Sequence, residues 1–535
     1  MLRQKKVVSL FLVTLLLIMT TIAGCGTEKN NRGTTASSVT TTQSATGQEV
    51  VDPYAKHLDI TWIGTFWGLI PEGSDTQKLI EKKFNVTLKC PQVDIYNAEQ
   101  WNLYWASGNT ADHITSVDFM ADVWRKLVDQ GLTREISEEM IRKNMPNWMK
   151  RVESIVDPEI VKKQMYYNNK VYTIPLTTYS SATAFTAGLR KDWMDSLGIA
   201  KTPETLDEFH DLLRRFTFDD PDKNGKKDTY GLQGATTCFY VFGAYGFQPN
   251  SYYNIDGKIV FTNTLQEYKE SLKLLNTWYK EGIIDPEYIT DDEKTTRSKW
   301  AEGKIGVYFA HPWWFASSTA DNVVLKLNEK NPNAKVEFFA PFKGYTGKQG
   351  AYIPYPKLTE NAFMFGRDTS DEKVERIMAI KESWCTDLEW YKQCNYGVEG
   401  VDYNMKDGLL IPTEDGLKWD LQVKKGTGSI FAYIPQDYSD FKMLTPVSDM
   451  PMFDIAMNKS YFSYSGVAFS FSGTNNVITE KSADIAKVTQ EFSINAITGK
   501  INIDTEWDKY LKQLSDVGLT KVVNEYQRLY DESNK

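Results

Sequence analysis

The sequence predicts an α/β fold built as more than one lobe, and three observations carry that expectation. The chain opens as strand, loop, helix, strand: 58–64 (LDITWIG) alternates, 65–73 is rich in turn residues, 74–84 has helical spacing and 86–90 alternates again. Such a unit begins a parallel sheet with helices packed on it. At 535 residues the chain also exceeds one ordinary domain, so two or three compact units are expected. The hydrophobic content of 41% supplies core for that many. A net charge of −9, with no basic cluster beyond the extreme N-terminus, argues against a nucleic-acid partner. There are 15 Trp, 29 Tyr and 26 Phe; most must be core, and a surplus of Trp and Tyr would suit a cleft for flat, hydroxyl-rich ligands.

The first 25 residues read as a targeting segment. Arg3, Lys5 and Lys6 form a basic start, 7–19 is an apolar run, and Ala23 and Gly24 place small side chains ahead of Cys25. This resembles the bacterial lipobox, in which the cysteine thiol accepts lipid, and two acyl chains anchor stably where one does not. The plain alternative is an uncleaved transmembrane anchor, because 7–24 is charge-free and nearly long enough to span. Residues 26–52 are mostly Thr, Ser, Gly and Gln and bury too little to fold. They predict a flexible tether reaching about 25–30 Å by random-coil scaling. The division expected is a signal peptide over 1–24, a tether over 25–55 and a folded body beyond. Cys90, Cys238, Cys385 and Cys394 show no zinc or redox spacing and read as free buried thiols, with a disulfide left open in an oxidising compartment.

In open parallel sheets ligands sit beyond the carboxyl ends of the strands. That puts Thr65, Phe66, Trp67 and Glu72 near a cleft; the alternative for Trp67 is a core position under its loop. Residues 97–107 read as a helix with Trp101 and Trp105 on one face, packing on the sheet rather than touching ligand. The stretch 189–232 organises the middle of the chain. Trp193, Met194 and Leu197 share one side of a short helix that Gly198 ends. Thr205 and Glu208 form a capping box for a helix carrying Leu206, Phe209, Leu212, Leu213 and Phe216. A loop follows in which Asp220, Asp222, Asn224, Gly225 and Asp228 fall at positions 1, 3, 5, 6 and 9 of the EF-hand spacing, with the Lys226 carbonyl at 7. Hard cations need six or more oxygens converging on a point, and such a pattern supplies most of them. Gly231 stands where a bidentate glutamate is expected, and the plain alternative is an acidic turn. Further on, 236–247 is aromatic and glycine-rich, either a wall of a site or core, and 255–261 is a hairpin about Asp256-Gly257. A long amphipathic helix is predicted over 265–281, carrying Trp278 and Tyr279.

These residues carry a resemblance. Arg190-Lys-Asp-Trp-Met-Asp-Ser-Leu-Gly198, Pro203-Glu-Thr-Leu-Asp-Glu208 and Asp220-Pro-Asp-Lys-Asn-Gly-Lys-Lys-Asp228 resemble a recurrent signature of family 1 extracellular solute-binding proteins, the receptors of carbohydrate ABC importers. The likeness is nearest to the long lipoproteins of Gram-positive bacteria and to alginate-oligosaccharide-binding proteins. Residues 171–175 (VYTIP), 282–287 (GIIDPE), 300–308 (WAEGKIGVY) and 396–403 (YGVEGVDY) are similar to further motifs, and the likeness spans about 58–531, weakest over 407–488. It implies a two-lobed, periplasmic-binding-protein-like α/β fold of type II with a hinge between lobes. It implies lobe 1 over 56–178 and 309–365 and lobe 2 over 179–308 and 366–535. It implies a structural calcium held by Asp220, Asp222, Asn224, the Lys226 carbonyl, Asp228 and residue 229, where Thr229 replaces the usual glutamate. It implies a hinge crossing at 176–184 with Tyr179 lining the cleft, and sugar-stacking rings at Trp313 and Trp314. A pyranose offers an apolar face to an aromatic ring and a rim of hydroxyls to polar side chains.

The expected function is that of a non-enzymatic, monomeric receptor, lipid-anchored on the outer face of the membrane. It closes on a saccharide, an oligosaccharide from the length of the chain, and delivers it to the permease subunits of an ABC importer. One alternative is a secreted glycan hydrolase, which needs paired carboxylates about 5 Å apart or somewhat more. No local motif singles out such a pair. Another is a receptor for a peptide or other non-sugar solute, since fold does not set ligand. Arg190 reads either as a partner for an acidic sugar or as a surface salt-bridge residue.

Overall fold

A computed structural model of the protein describes residues 52–63, 69–95, 97–117, 123–180, 183–234, 238–351, 361–461 and 476–533. Cys25, the tether, and Thr65, Phe66 and Trp67 lie outside the described residues. In chain order the strands are β1 (Leu58–Ile63), β2 (Val86–Lys89), β3 (His113–Val117), β4 (Tyr166–Tyr167), β5 (Lys170–Val171), β6 (Thr173–Leu176), β7 (Thr186–Arg190) and β8 (Tyr230–Leu232). They continue as β9 (Tyr252–Ile255), β10 (Lys258–Phe261), β11 (Ile305–Ala310), β12 (Val336–Phe339), β13 (Asn361–Phe365), β14 (Tyr403–Lys406) and β15 (Leu409–Pro412).

Two larger sheets organise the body, one in the order β2-β1-β3-β13-β6 and the other in the order β12-β7-β11-β8. The opening unit folds as its alternation predicts. β1 lies parallel to β2, with Leu58 opposite Val86, and to β3. Between β1 and β2, helix Asp75–Phe84 starts where the Ser74 hydroxyl accepts the Gln77 N–H. Trp62, Trp148, Phe363, Ile377 and Trp384 fill one side of the first sheet, and Trp101, Trp105, Trp124 and Met364 the other. Trp101 and Trp105 are thus core residues, meeting edge to face at 5.3 Å.

The second lobe grows around the stretch 189–232. Helix Lys191–Leu197 ends at Gly198 in the left-handed conformation (φ 66°). The Thr205 hydroxyl accepts the Glu208 N–H at 3.2 Å, and helix Leu206–Phe218 buries the five apolar side chains that share one face. Each such Leu or Phe contributes about 1.5–3 kcal/mol. β9 and β10 pair across Asp256 and Gly257, both with positive φ (51° and 84°), which matches the right-handed twist of the strands. Tyr240, Phe242 and Phe247 are buried in this lobe's core, so the aromatic segment around them is largely core. Helices Asn476–Ile497 and Ile503–Asp516 complete it, with Phe492 stacked on Tyr510 at 4.0 Å.

The lobe boundaries expected at 309 and 365 are corrected by the strand pairings. β11 runs unbroken to Ala310, with Phe309 opposite Ala187 and Ala310 opposite Thr186, so the chain does not leave the second sheet there. It stays through β12, which flanks β7 on the other side. Helices Asp371–Thr386 and Leu388–Tyr396, expected in the second lobe, pack into the first: Ile377, Trp384 and Tyr391 are buried with Trp62 and Phe363. All six residues of β11 are buried, and such a strand carries no alternation to show which sheet it joins.

The first core holds an anomaly. Lys381 is 3% exposed, and its Nζ lies 4.4 Å from the Phe363 ring centre and 4.9 Å from that of Trp62. Burial pushes its pKa down to about 7. The folded chain therefore sheds this proton more readily than the unfolded chain, and stability rises as pH climbs from about 7 towards the ordinary lysine range. Lys381→Met keeps the stem and removes the charge. It is expected to raise the free energy of unfolding near pH 6 by a few kcal/mol, at about 1.4 kcal/mol per pKa unit, and with it the midpoint, and to flatten the rise towards alkaline pH. Scanning calorimetry of both chains across that range checks this; equal midpoints near pH 6 refute it.

Candidate functional site

Among the described residues, β6 of the first lobe is followed by β7 of the second, β12 of the second by β13 of the first, and Ile434 of the first by helix Asn476–Ile497 of the second. The residues that follow β6 and those that follow Ile434 run side by side. Thr178 bridges in parallel to Gln436; the Gln436 N–H donates to the Thr177 carbonyl (3.2 Å) and the Tyr179 N–H to the Gln436 carbonyl (2.7 Å). Further along, the Ala184 N–H donates to the Ala456 carbonyl (2.8 Å).

Rings gather at this junction. Tyr179 is 37% exposed and lies 4.9 Å from Tyr438, itself 49% exposed, and 5.6 Å from Phe441. Trp313 sits in the turn Pro312–Phe315 after β11, edge-on to Phe453 (4.7 Å) and Phe441 (6.2 Å). Its indole N–H donates to the Ser180 hydroxyl at 2.8 Å, so the half-buried ring is held in one orientation. Two of the expected residues, Tyr179 and Trp313, are thereby brought together. Trp314 is half-buried, with the Arg297 guanidinium 3.8 Å over one face of its ring, and Arg297 also pairs with Glu293. Tyr438 was missed from the sequence. Its only local signal is the capping box of Asp437 and Asp440 at the start of helix Tyr438–Leu444, in the stretch of weakest motif content.

Polar groups around the rings are mostly spent on each other. Arg151 pairs with buried Asp440 and donates to the Pro435 carbonyl (3.3 Å). Asp449 accepts from the Ser317 N–H (2.7 Å) and hydroxyl (2.9 Å); burial raises its pKa and those bonds oppose the rise. His311 Nε2 lies 3.1 Å from the Thr183 hydroxyl, its Nδ1 accepts the Trp313 N–H at 3.4 Å, and burial pushes its pKa down to about 4. A depression of about 370 Å³ lined by Arg142, Met149, Lys150 and Glu153 lies on first-lobe helices, apart from the rings.

The loop 220–228 has the donor set of a hard-cation site. Asp220 takes the Asn224 and Gly225 N–H groups (3.1 and 3.0 Å), and the Asn224 side-chain amide bridges Asp222 (2.7 Å) and Asp228 (3.2 Å). Among the described residues these three carboxylates form no ion pair with a lysine or arginine. Burial raises the Asp222 pKa, and the neighbouring Asp220 and Asp228 add to the rise. No three carboxylate, thiol or imidazole groups among the described residues close on one metal position. Thr229 is buried and its hydroxyl donates to the Phe216 carbonyl at 2.9 Å. Cys90, Cys238, Cys385 and Cys394 form no disulfide; Cys238 and Cys394 are buried as expected, whereas Cys90 and Cys385 are half-buried. The motif over 396–403 is a turn locked by Asp402, which accepts the Val398 N–H (2.9 Å) and pairs with Lys425.

Two α/β lobes joined by paired crossings, with rings at the junction, define a two-lobed binding protein. The chain belongs to the bacterial extracellular solute-binding protein family, whose model matches residues 68–370. A second model, for a domain of unknown function, matches residues 467–535. The chain is 24% identical over 533 residues, 98% of each chain, to the polygalacturonan/rhamnogalacturonan-binding protein YtcQ of Bacillus subtilis. It is 25% identical over 503 residues, 85% of this chain and 86% of the relative, to the fructooligosaccharide ABC transporter substrate-binding protein FusA of Streptococcus pneumoniae. Among solved structures it is similar to alginate-binding protein AlgQ2 without calcium ion (TM-score 0.68, 20% identity, covering 90% of this chain and 100% of that one). It is also similar to FusA in complex with kestose (TM-score 0.69, 21% identity, 90% and 100% covered). These likenesses bear out the two-lobed solute-binding fold. No helix among the described residues is long and apolar enough to cross a membrane.

Arg190 is a salt-bridge residue, though a buried one rather than the surface one expected. It is 3% exposed, its Nε and Nη2 grip Asp192 (2.9 and 2.6 Å), and its guanidinium lies 4.6 Å over Trp193. Arg190→Ala strands Asp192 and opens a gap beside Trp193. It is expected to destabilise the chain by about 3 kcal/mol without selectively weakening acidic saccharides, read by denaturant unfolding and by titration with a charged and a neutral oligosaccharide.

Proposed function

We propose that the protein is an extracellular receptor that binds an oligosaccharide between its lobes and presents it to the permease of an ABC importer. The observation that carries this reading is Trp313, a half-buried ring fixed by Ser180 at the junction of two lobe crossings, with Tyr179 and Tyr438 exposed beside it. Stacking on such rings, plus hydroxyl hydrogen bonds, supplies the roughly −8 kcal/mol of a micromolar complex. The polygalacturonan-, fructooligosaccharide- and alginate-binding relatives support a saccharide over a peptide. Trp67 joins the proposed lining on sequence grounds, and Trp314 ranks below Trp313 because Arg297 lies over one face of its ring. The receptor acts as a monomer tethered through lipid on Cys25. The basic start, apolar run and small residues before that cysteine support the anchor, as does a relative named lipoprotein LipO.

The loop 220–228 suits a structural calcium held by Asp220, Asp222, Asn224, the Lys226 carbonyl and Asp228. The ion would neutralise three carboxylates that otherwise repel, and it has no part in binding the sugar. A relative described as an EF-hand mutant of FusA supports the assignment.

Thermal unfolding of the tether-free body against oligogalacturonides, alginate oligosaccharides, kestose and an N-glycan tests the reading. One class is expected to raise the midpoint and to be recovered intact. Trp313→Ala should weaken it at least tenfold, about 1.4 kcal/mol or more. A rise with peptides and none with glycans would overturn the saccharide reading, and cleaved glycan would point to a hydrolase. Chelation with EDTA is expected to lower the midpoint by a few degrees, with calcium restoring it; no change would return the loop to an ordinary turn.

A further inference from the structure

We propose that His311 is a positioning residue for Trp313: it ties the turn that carries the ring to the first lobe crossing, so that ring and hinge strand move as one piece. This rests on the saccharide reading above.

The turn is short and closely held. β11 ends at Ala310, and Pro312 opens the four-residue helical turn that bears Trp313. His311 caps it through Nδ1, which accepts the Trp313 N–H (3.4 Å). In a neutral imidazole the other nitrogen then carries the proton, so Nε2–H donates to the Thr183 hydroxyl (3.1 Å). Thr183 is fully buried and its own N–H donates to the Ser180 carbonyl (3.2 Å). Ser180 in turn accepts the Trp313 indole N–H (2.8 Å). The result is a closed circuit: His311 to Thr183, Thr183 to Ser180, Ser180 to the ring, and the ring's backbone to His311. Two of its members are on the crossing and two are on the turn, so the ring cannot swing while the crossing stands still.

The circuit explains why a histidine stands at this cap. Asn would accept the Trp313 N–H but is too short to reach Thr183 as well. A permanently charged side chain would face a buried hydroxyl with no counter-charge. Burial keeps the imidazole neutral at neutral pH, so both nitrogens serve.

The test uses the tether-free body with 5-fluorotryptophan incorporated, Trp313→Phe identifying the Trp313 fluorine resonance. Thr183→Val and His311→Asn are expected to shift and broaden that resonance. They should also weaken tenfold or more whichever of tetragalacturonate, alginate tetrasaccharide, kestose and Man5GlcNAc stabilises the native chain most. Midpoints without saccharide should stay within a few degrees. Thr183→Ser and His311→Gln, which restore a hydroxyl and a second polar atom, should keep the native resonance. Thr183→Val combined with His311→Asn should weaken binding no more than either alone, because both cut one path. An unmoved resonance and unchanged affinity in Thr183→Val and His311→Asn, while Trp313→Ala still abolishes binding, overturn the proposal and leave the saccharide reading standing. Native affinity in Trp313→Ala overturns the saccharide reading at this ring, and the fluorine resonance alone then decides the role of His311.

Discussion

The two backbone hydrogen bonds between Gln436 and the Thr177–Tyr179 strand make one ribbon of what would otherwise be two independent strings. A single crossing bends freely at any of its dihedrals. Two crossings paired in register bend only together, at residues where the ladder allows it, which is how hinge motions keep a defined axis. Both lobes hold the ribbon. The first grips it through Arg151, paired with Asp440 and bonded to the Pro435 carbonyl, and through the Gln436 amide, which donates to the Tyr391 hydroxyl (3.3 Å). The second grips it through the Ala184–Ala456 bond, the Ser317–Asp449 bonds and the packing of Phe441 and Phe453 against Trp313. The rings stand where the two grips meet, so a ligand lying on them touches parts of both lobes and of the ribbon.

Local structure was legible in the sequence because local physics decides it. The Thr205 cap, the Gly198 stop, the Asp256-Gly257 turn and the apolar face of helix Leu206–Phe218 all follow from spacing and residue type. What the sequence hid was long-range. β11 reads as a buried strand, yet nothing in IGVYFA says whether it joins β7 or β13. The helices over 371–396 have the amphipathic spacing of either lobe, and only the contact of Ile377 and Trp384 with Trp62 and Phe363 assigns them. At the site, Trp313 and Trp314 are adjacent and chemically identical in sequence. Their difference is made by Ser180, more than a hundred residues upstream, and by Arg297 on a separate helix.

The loop 220–228 shows the same divide. Its spacing announces a cation site, and the Asn224 and Gly225 N–H groups do wrap Asp220 in the way such loops begin. Its exit departs from the pattern. Thr229 lies inside, its hydroxyl donating to the Phe216 carbonyl. Calcium affinity in such loops follows the number of charged ligands and the rigidity of the frame. Here residue 229 is an uncharged threonine, buried just before β8.

The groups around the rings bear on the choice between receptor and hydrolase. A general acid needs a pKa near the working pH and a proton it is free to give. His311 is neutral far below neutrality and its two nitrogens are both engaged, one by the Trp313 N–H and one by Thr183. Asp440 is held by Arg151, and Asp449 by Ser317. Each of these titratable groups is used to fix a ring or a crossing in place. Preorganisation of that kind lowers the cost of ordering side chains on binding, and it leaves none of the three free to shuttle a proton. The bonds that His311 and Ser180 make to Trp313 hold a ring ready for a ligand.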